Sequence, residues 1–400
     1  MGEAAETDYL SREFLQTPYP GFRRLHDTPG FHKLGGIWFI VRHRDCAFFM
    51  KHADIGRQLE GLNLPEPQRD KQPLFFTLRH IFAMQDPPDH TRIRSALSPP
   101  FTPKEINKLT ALIQSSADAL LDQLEGVAAA NLMDSYAVPL PFKVIAALIG
   151  IPAEYHVRLI GWVHDFRKGL EEVLPPIRRD LHARANMAAQ EIYDLMARLA
   201  REREAHPQED WLSAFVPRLR DGTITFDELV CGTILMLPAG TQTTLQTIGN
   251  SIYALLSNPE QKRKFLELPD EACDTAIEEL LRFESPVKCL MRLVKKDIEY
   301  QGRRFRKGEQ VCIFYAAANR DPAAFTKPDE LDLTRTGNRH IAFGGGPHHC
   351  LGLHLGRLEV RIALRSLFKR FPGMSLRQHN LEWEDSFFSR QLVALPVSMR

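Results

Sequence analysis

Of the six cysteines in this 400-residue chain, Cys350 stands in the sequence context best suited to chemistry at sulfur. It lies in the run Phe-Gly-Gly-Gly-Pro-His-His-Cys-Leu-Gly at 343–352, and an amphipathic stretch over 351–365 follows. Glycine tolerates backbone angles and close approaches that other residues do not. The run therefore predicts a tight loop that presents Cys350 at the N-terminal end of a helix. Unpaired N–H groups and the helix dipole at that position favour a thiolate. A structural zinc site needs partner cysteines at short spacing, and Cys289 and Cys312 are too distant in sequence to suggest one. A cysteine nucleophile needs a base and an orienting partner, and no such pair stands out. Axial ligation of a haem iron suits a single thiolate whose charge is tempered by backbone N–H groups. The bland alternative is a buried small hydrophobe, the usual fate of a lone free cysteine.

Phe343, Gly346, His348, Cys350 and Gly352 form the pattern Phe-x-x-Gly-x-His-x-Cys-x-Gly, which resembles the haem-binding signature of the cytochrome P450 family. Further motifs of that family follow in order, so the resemblance covers most of the chain from about Asp86 onward. It implies a mostly α fold with small β-sheets, the cytochrome P450 fold. Haem b (iron protoporphyrin IX) would lie between a long central helix and the cysteine loop, with Cys350 as the iron ligand.

That central helix is legible by itself. Residues 229–259 carry no charge, yet hold five threonines, two glutamines, two asparagines and three glycines. Such a stretch is long enough to span a bilayer, but its polar content and the internal Pro238 suit a buried helix better. Thr225 with Glu228 three residues later predicts a capping box and a helix over 226–257. Pro238 lacks an N–H and clashes with the carbonyl of Ile234, and Gly240 adds local freedom. A distortion just before Thr241 is therefore expected, unless the kink serves packing alone. Ala239-Gly240-Thr241-Gln242-Thr243-Thr244 resembles the family's oxygen-activation segment, in which an acid normally precedes the second threonine. Thr243 matches the alcohol, and Gln242 stands where the acid is usual. That departure puts the standard proton route in doubt.

Asp86-Pro-Pro-Asp-His-Thr-Arg-Ile-Arg94 reads as a helix start, with Asp86 as the cap and Pro87 in the first turn. His90 and Arg94, four apart, share a face. By resemblance they hold a haem propionate, as do Arg292 and His340. Glu279-Leu-Leu-Arg282 resembles the family's Glu-x-x-Arg helix, with Arg335 the third member of a buried structural network. Weaker pocket candidates are Phe75, Phe76 and Met84, in and after an expected loop over 72–78. Val287, Leu290, Met291 and the turn residue Phe388 complete that set. His156 to His206 reads as two charged amphipathic helices where the family places a mobile lid. Pro139 to Pro152 reads as a buried helix ended by Gly150. Strands are expected at 36–41, in pairs over 297–313, and at 383–397. Where the family often shows Arg-Gly near the end, this chain has Arg390-Gln391.

Composition sets outer bounds. With 51 basic and 50 acidic residues, the formal charge of +1 offers nucleic acid no attraction. Scattered cysteines suit a reducing cytoplasm. The first residues show no apolar signal, and Glu6 breaks a myristoylation pattern. No linker or repeat divides the chain. The expectation is one domain over 1–400, with a β-rich part within about 1–85, a helical bulk over about 86–290, and a sheet and haem-loop region over about 291–400. The resemblance implies a monomeric, cytoplasmic bacterial monooxygenase without a membrane span, acting on a small organic substrate. Electrons would come from a ferredoxin or flavodoxin with its reductase, docking near His348 and His349. Oxidative coupling or peroxide-driven oxidation shares every haem motif. A haem sensor or electron carrier would have no use for Thr243 in a distorted helix.

Overall fold

The computed structural model describes residues 9–57, 68–171 and 179–400. Its described residues group into two compact units, each assembled from separated stretches of chain. One is helical and comprises Gly56–Leu112 and Leu140–Gln242. The other takes the described residues up to Ile55, together with Ile113–Pro139 and Thr243–Arg400. The myristoylation test at Glu6 falls outside the described residues.

The second unit is built on a five-stranded sheet ordered His32–Leu34, Ile37–Ile40, Gln310–Ile313, Leu290–Val294 and Ile55–Gly56. Ile37–Ile40 runs parallel to Gln310–Ile313, pairing Trp38 with Val311, and Leu290–Val294 lies antiparallel on its other side. Gly35 and Gly36, both at positive φ, turn the first hairpin. A separate hairpin joins Ile298–Tyr300 to Arg303–Phe305 around Gly302 (φ 71°), as its sequence predicts. The N-terminal part is less β-rich than expected. Its three short strands share the segment with the helices Arg12–Gln16, Tyr19–Asp27, His43–Lys51 and Pro73–His80. The last of these replaces the loop expected over 72–78. Pro73 occupies its first turn, where the missing N–H costs nothing.

In the helical unit, the helix Asp89–Leu97 begins later than Asp86 suggested, and its cap position is Pro88. Pro88 disfavours the α conformation in the residue before it, so no helix can start at Pro87. Asp86 instead accepts the N–H of Arg57 on Oδ1 at 2.9 Å. Pro139–Ile149 stops at Gly150 (φ 81°), as expected. His156–Glu171 and Arg179–Ala205 are the two charged helices, and 172–178 of the expected lid lies outside the described residues.

The helix Phe226–Ser257 opens on the capping box foreseen for it. Thr225 N–H donates to Glu228 Oε2 at 2.9 Å, and Glu228 N–H donates to Thr225 Oγ1 at 3.2 Å. It runs unbroken through Pro238, so the expected distortion does not interrupt it. Thr241 Oγ1 donates to the Leu237 carbonyl at 2.7 Å, a local bond that keeps a polar side chain satisfied inside a buried helix. Among the described residues no helix is long and apolar enough to cross a membrane.

Glu279 and Arg282 are fully buried, at 0% side-chain exposure each. The carboxylate accepts from Arg282 Nε (2.7 Å) and Nη2 (2.8 Å), from Arg335 Nε (3.0 Å), from Asn338 Nδ2 (3.1 Å) and from Asp332 N–H (3.0 Å). Arg282 Nη1 spends its remaining capacity on the carbonyls of Asn319 and Pro328. A buried pair adds little net stability, but removing one partner strands the other charge. Glu279→Gln is expected to lower unfolding free energy by about 3–5 kcal/mol. Urea titration followed by circular dichroism measures it, and a loss below about 1 kcal/mol would contradict this reading.

Candidate functional site

Cys350 is half-buried, whereas the other five cysteines are all buried. Its loop explains its glycines. Gly344 and Gly346 adopt φ of 69° and 66°, and a Cβ at Gly346 would collide with the carbonyl oxygen of Met50. The loop is therefore pressed against the backbone of helix His43–Lys51. Phe343 O accepts the Cys350 N–H at 2.9 Å, and Gly346 O accepts the His349 N–H at 3.1 Å, closing a short turn that contains His348. Helix Leu353–Arg370 follows, with Gly352 in its cap position. Cys350 thus precedes the first helical residue at the positive end of the helix dipole, as the motif predicts.

On Phe226–Ser257, the residues from Leu229 to Ile252 are buried except Leu235, Ala239, Gly240, Gln242 and Thr243. At helical spacing these five lie on one face. Between Leu229 and Ile252 the helix is thus open along this face and most exposed at Ala239. Gly240 has a second reason to be small, since Ile145 packs directly on it. Its place in the motif therefore reflects helix packing as well as chemistry.

Sequence reading missed Glu359, on the helix that follows Cys350. It is 0% exposed, and neither carboxyl oxygen has a well-formed hydrogen bond among the described residues. Burial pushes its pKa well above the usual carboxylate range, and the nearby Thr244 hydroxyl only tempers that rise. Its signal was present. A glutamate shares an apolar face with Leu355, Ile362 and Ala363, where a solvated acid has no place.

The remaining candidates fall into separate neighbourhoods. His90 is buried, and its ring centroid is 6.1 Å from that of Phe82. Burial, then the Arg94 guanidinium, push its pKa down. Arg94 is half-buried with its guanidinium 6.0 Å from the Phe82 ring centroid. Arg292 is buried on its strand, donating from Nη1 to Met291 O at 3.0 Å. His340 is held by protein groups on both sides of its ring. Ala342 N–H donates to its Nδ1 at 3.2 Å, so Nε2 carries the proton and donates to Glu278 Oε2 at 3.0 Å. Both ring nitrogens are engaged by protein, which leaves neither for a propionate in this arrangement. Phe76 packs on His80 and Tyr193, Phe75 on His182, and Met84 Sδ accepts from Arg57 Nη2. Val287 and Leu290 pack on one core cluster, but Met291 and Phe388 pack on another. Strand alternation points Leu290 and Met291 to opposite faces, so they cannot share one wall.

These donors fit a haem held through one thiolate. The single half-buried cysteine sits in a glycine cradle, and the central helix is open at Ala239, Gly240, Gln242 and Thr243. Comparison with known proteins agrees. The family model described as "Cytochrome P450" matches residues 162–391. The polyketide biosynthesis cytochrome P450 PksS of Bacillus subtilis (strain 168) is 34% identical over 406 residues, covering 97% of both chains. The biotin biosynthesis cytochrome P450 of the same organism is 34% identical over 392 residues, covering 97% of this chain and 98% of that one. The solved structure of P450BioI with hexadec-9Z-enoic acid-ligated acyl carrier protein superposes with TM-score 0.90 at 33% identity, covering 97% of this chain and 100% of that one.

The buried acid yields a prediction with a definite sign. Glu359 keeps its proton when folded and releases it when unfolded, so above the unfolded pKa the folded state binds one proton more. Wild-type stability should therefore fall by about 1.4 kcal/mol per pH unit above that value, as far as the folded pKa. Glu359→Gln cannot titrate, so it should equal wild type near pH 4 and exceed it increasingly toward pH 8. Denaturant melts at several pH values measure this, and parallel curves would refute a neutral Glu359.

Proposed function

The chain belongs to the cytochrome P450 family, and from that premise we propose that it is a haem-thiolate monooxygenase oxidising an apolar small molecule in bacterial secondary metabolism. The observation that carries this is Cys350, accessible in a glycine loop whose turn it closes through Phe343 O. Haem b, held there through the Cys350 sulfur, would supply the oxygen activation. The protein's residues supply the rest. Cys350 gives the sulfur ligand, and the Gly344–Gly346 cradle holds it. Arg94 and Arg292, with His90, would neutralise the propionates, a bidentate task suited to guanidinium. PksS acts in polyketide biosynthesis and P450BioI binds an acylated carrier. The related substrate class here is an acyl or polyketide-like chain, supported by these two relatives. Electrons would come from a separate ferredoxin or flavodoxin with its reductase, docking on the cysteine side near the exposed His349.

Proton delivery differs from the usual family pattern. Gln242 does not ionise and cannot pass a proton on as a carboxylic acid does. Its amide can hold a water, as can the Thr243 hydroxyl. Glu359 holds its proton beside Thr244, the residue after Thr243. We assign proton relay to Thr243 with ordered water, and water positioning to Gln242. This arrangement also favours a peroxide-driven variant of the reaction, since such a route needs less proton delivery.

Two measurements test the reading. The reduced, carbon monoxide-bound protein should show the strongly red-shifted Soret band of a thiolate haem, and Cys350→Ala should lose it. Arg94→Ala and Arg292→Ala should purify with less haem, and a wild-type band like that of a histidine-ligated haem would sink the assignment. With reductase, ferredoxin and a turned-over acyl substrate, Thr243→Ala should divert most reducing equivalents to hydrogen peroxide. General acid–base contributions run to about 10²–10⁴-fold, so product formation should drop by at least the lower figure. Gln242→Glu should retain activity. Full coupling in Thr243→Ala would place proton delivery elsewhere.

A further inference from the structure

Glu278 stands beside Glu279 on the helix Asp270–Phe283, and the two do different work. Successive helical residues point about 100° apart. Glu279 enters the core, while Glu278 remains about a quarter exposed, at 24%. Arg357 donates to Glu278 from Nε to Oε1 and from Nη2 to Oε2, both at 2.7 Å. This two-pronged geometry fixes a guanidinium in orientation as well as position. His340 Nε2 donates to the same Oε2 at 3.0 Å, and His340 Nδ1 accepts from Ala342 N–H at 3.2 Å. Burial raises the Glu278 pKa, but His340 and Arg357 more than reverse that and bring it to about 2. The carboxylate is therefore charged at every working pH.

The two partners of Glu278 both grip the start of the cysteine loop. The Arg357 guanidinium lies 4.7 Å from the centroid of the Phe343 ring, a cation–π contact. His340 holds Ala342 through its backbone N–H, one residue before Phe343. Phe343 O is the acceptor of the Cys350 N–H at 2.9 Å. A ring held on one side and a backbone held on the other leave that carbonyl no freedom to move off the cysteine.

We propose that Glu278 is a positioning residue for Cys350, acting through Arg357 and His340 on Phe343 to keep the thiolate loop in its ligating form. Nothing in the reaction touches Glu278. Its effect lies in how long the thiolate stays on the iron, because a loosened Phe343 carbonyl frees the Cys350 amide and the sulfur beside it. Glu279 cannot substitute, since its oxygens are committed to Arg282, Arg335 and Asn338.

The inference rests on haem-thiolate ligation, and one experiment separates the two. Glu278→Gln keeps the shape and removes the charge that holds Arg357. Arg357→Gln, at a site about one-third exposed (36%), removes the other half and should fold in any event. Each variant is purified with haem, reduced and bound to carbon monoxide, and the conversion of the red-shifted Soret band to the blue-shifted inactive form is timed at fixed temperature. Both should start with the red-shifted band and lose it on the order of tenfold faster than wild type, the effect of one charge-assisted hydrogen bond lost. Arg357→Lys keeps the charge without the two-pronged grip, and its rate should fall between them. Thermal melts of the same samples report global stability, which a loop effect leaves within a few degrees. A rate within twofold of wild type in both Gln variants overturns the proposal, as does acceleration matched by an equal loss of global stability. A wild type lacking the red-shifted band would instead overturn thiolate ligation itself.

Discussion

The buried charge of Glu279 is the constraint on which much of the second unit depends. A carboxylate with no solvent access is tolerable only if every oxygen lone pair is met, and here the donors come from Arg282, Arg335, Asn338 and the Asp332 backbone. Arg282 and Arg335 then collect carbonyls from Asn319, Thr326, Lys327, Pro328 and Glu330. A stretch with little regular secondary structure is thereby pinned to a helix by charge. Asn319, held by its own side chain, donates to Ser285 Oγ and accepts the Ile341 N–H. Ile341 stands two residues before Phe343, so satisfaction of one buried carboxylate reaches the start of the ligand loop.

From there the site is a matter of close approach. The loop lies so near the Met50 carbonyl that any side chain at Gly346 is excluded. The adjacent glutamate completes the hold from the other side, because Arg357 carries the charge of Glu278 onto the Phe343 ring. Two neighbouring acids on one helix thus divide the labour. One organises the long irregular stretch, and the other holds the start of the cysteine loop through Arg357 and His340.

The central helix solves a different problem. It is buried over most of Leu229 to Ile252, yet open at Ala239, Gly240, Gln242 and Thr243. Threonine hydroxyls bonded back to carbonyls four residues earlier keep it apolar outside and satisfied inside. Gln242 stands where that segment usually has an acid, and a buried acid on the helix after Cys350, Glu359, lies near Thr244.

Much of this was legible in one dimension because its cause is local. The capping box at Thr225 and Glu228, the stop at Gly150 and the glycine loop before Cys350 follow from backbone chemistry within a few residues. The pairing of Glu279 with Arg282 is a spacing of three on a helix, equally readable. Asp86 does not cap because Pro88 constrains Pro87, which is also a local rule. Sequence reasoning failed where a neighbour distant in sequence decides. The occupation of His340 by Glu278 and the burial of Glu359 beside Thr244 have another origin. Each depends on which segments, 60 or more residues apart, the fold lays side by side. Local sequence determines backbone conformation and the type of chemistry available, because those energies arise within one or two turns. Only the tertiary structure decides which charges meet and which acids stay protonated, because desolvation and pairing are set by what surrounds a side chain in space.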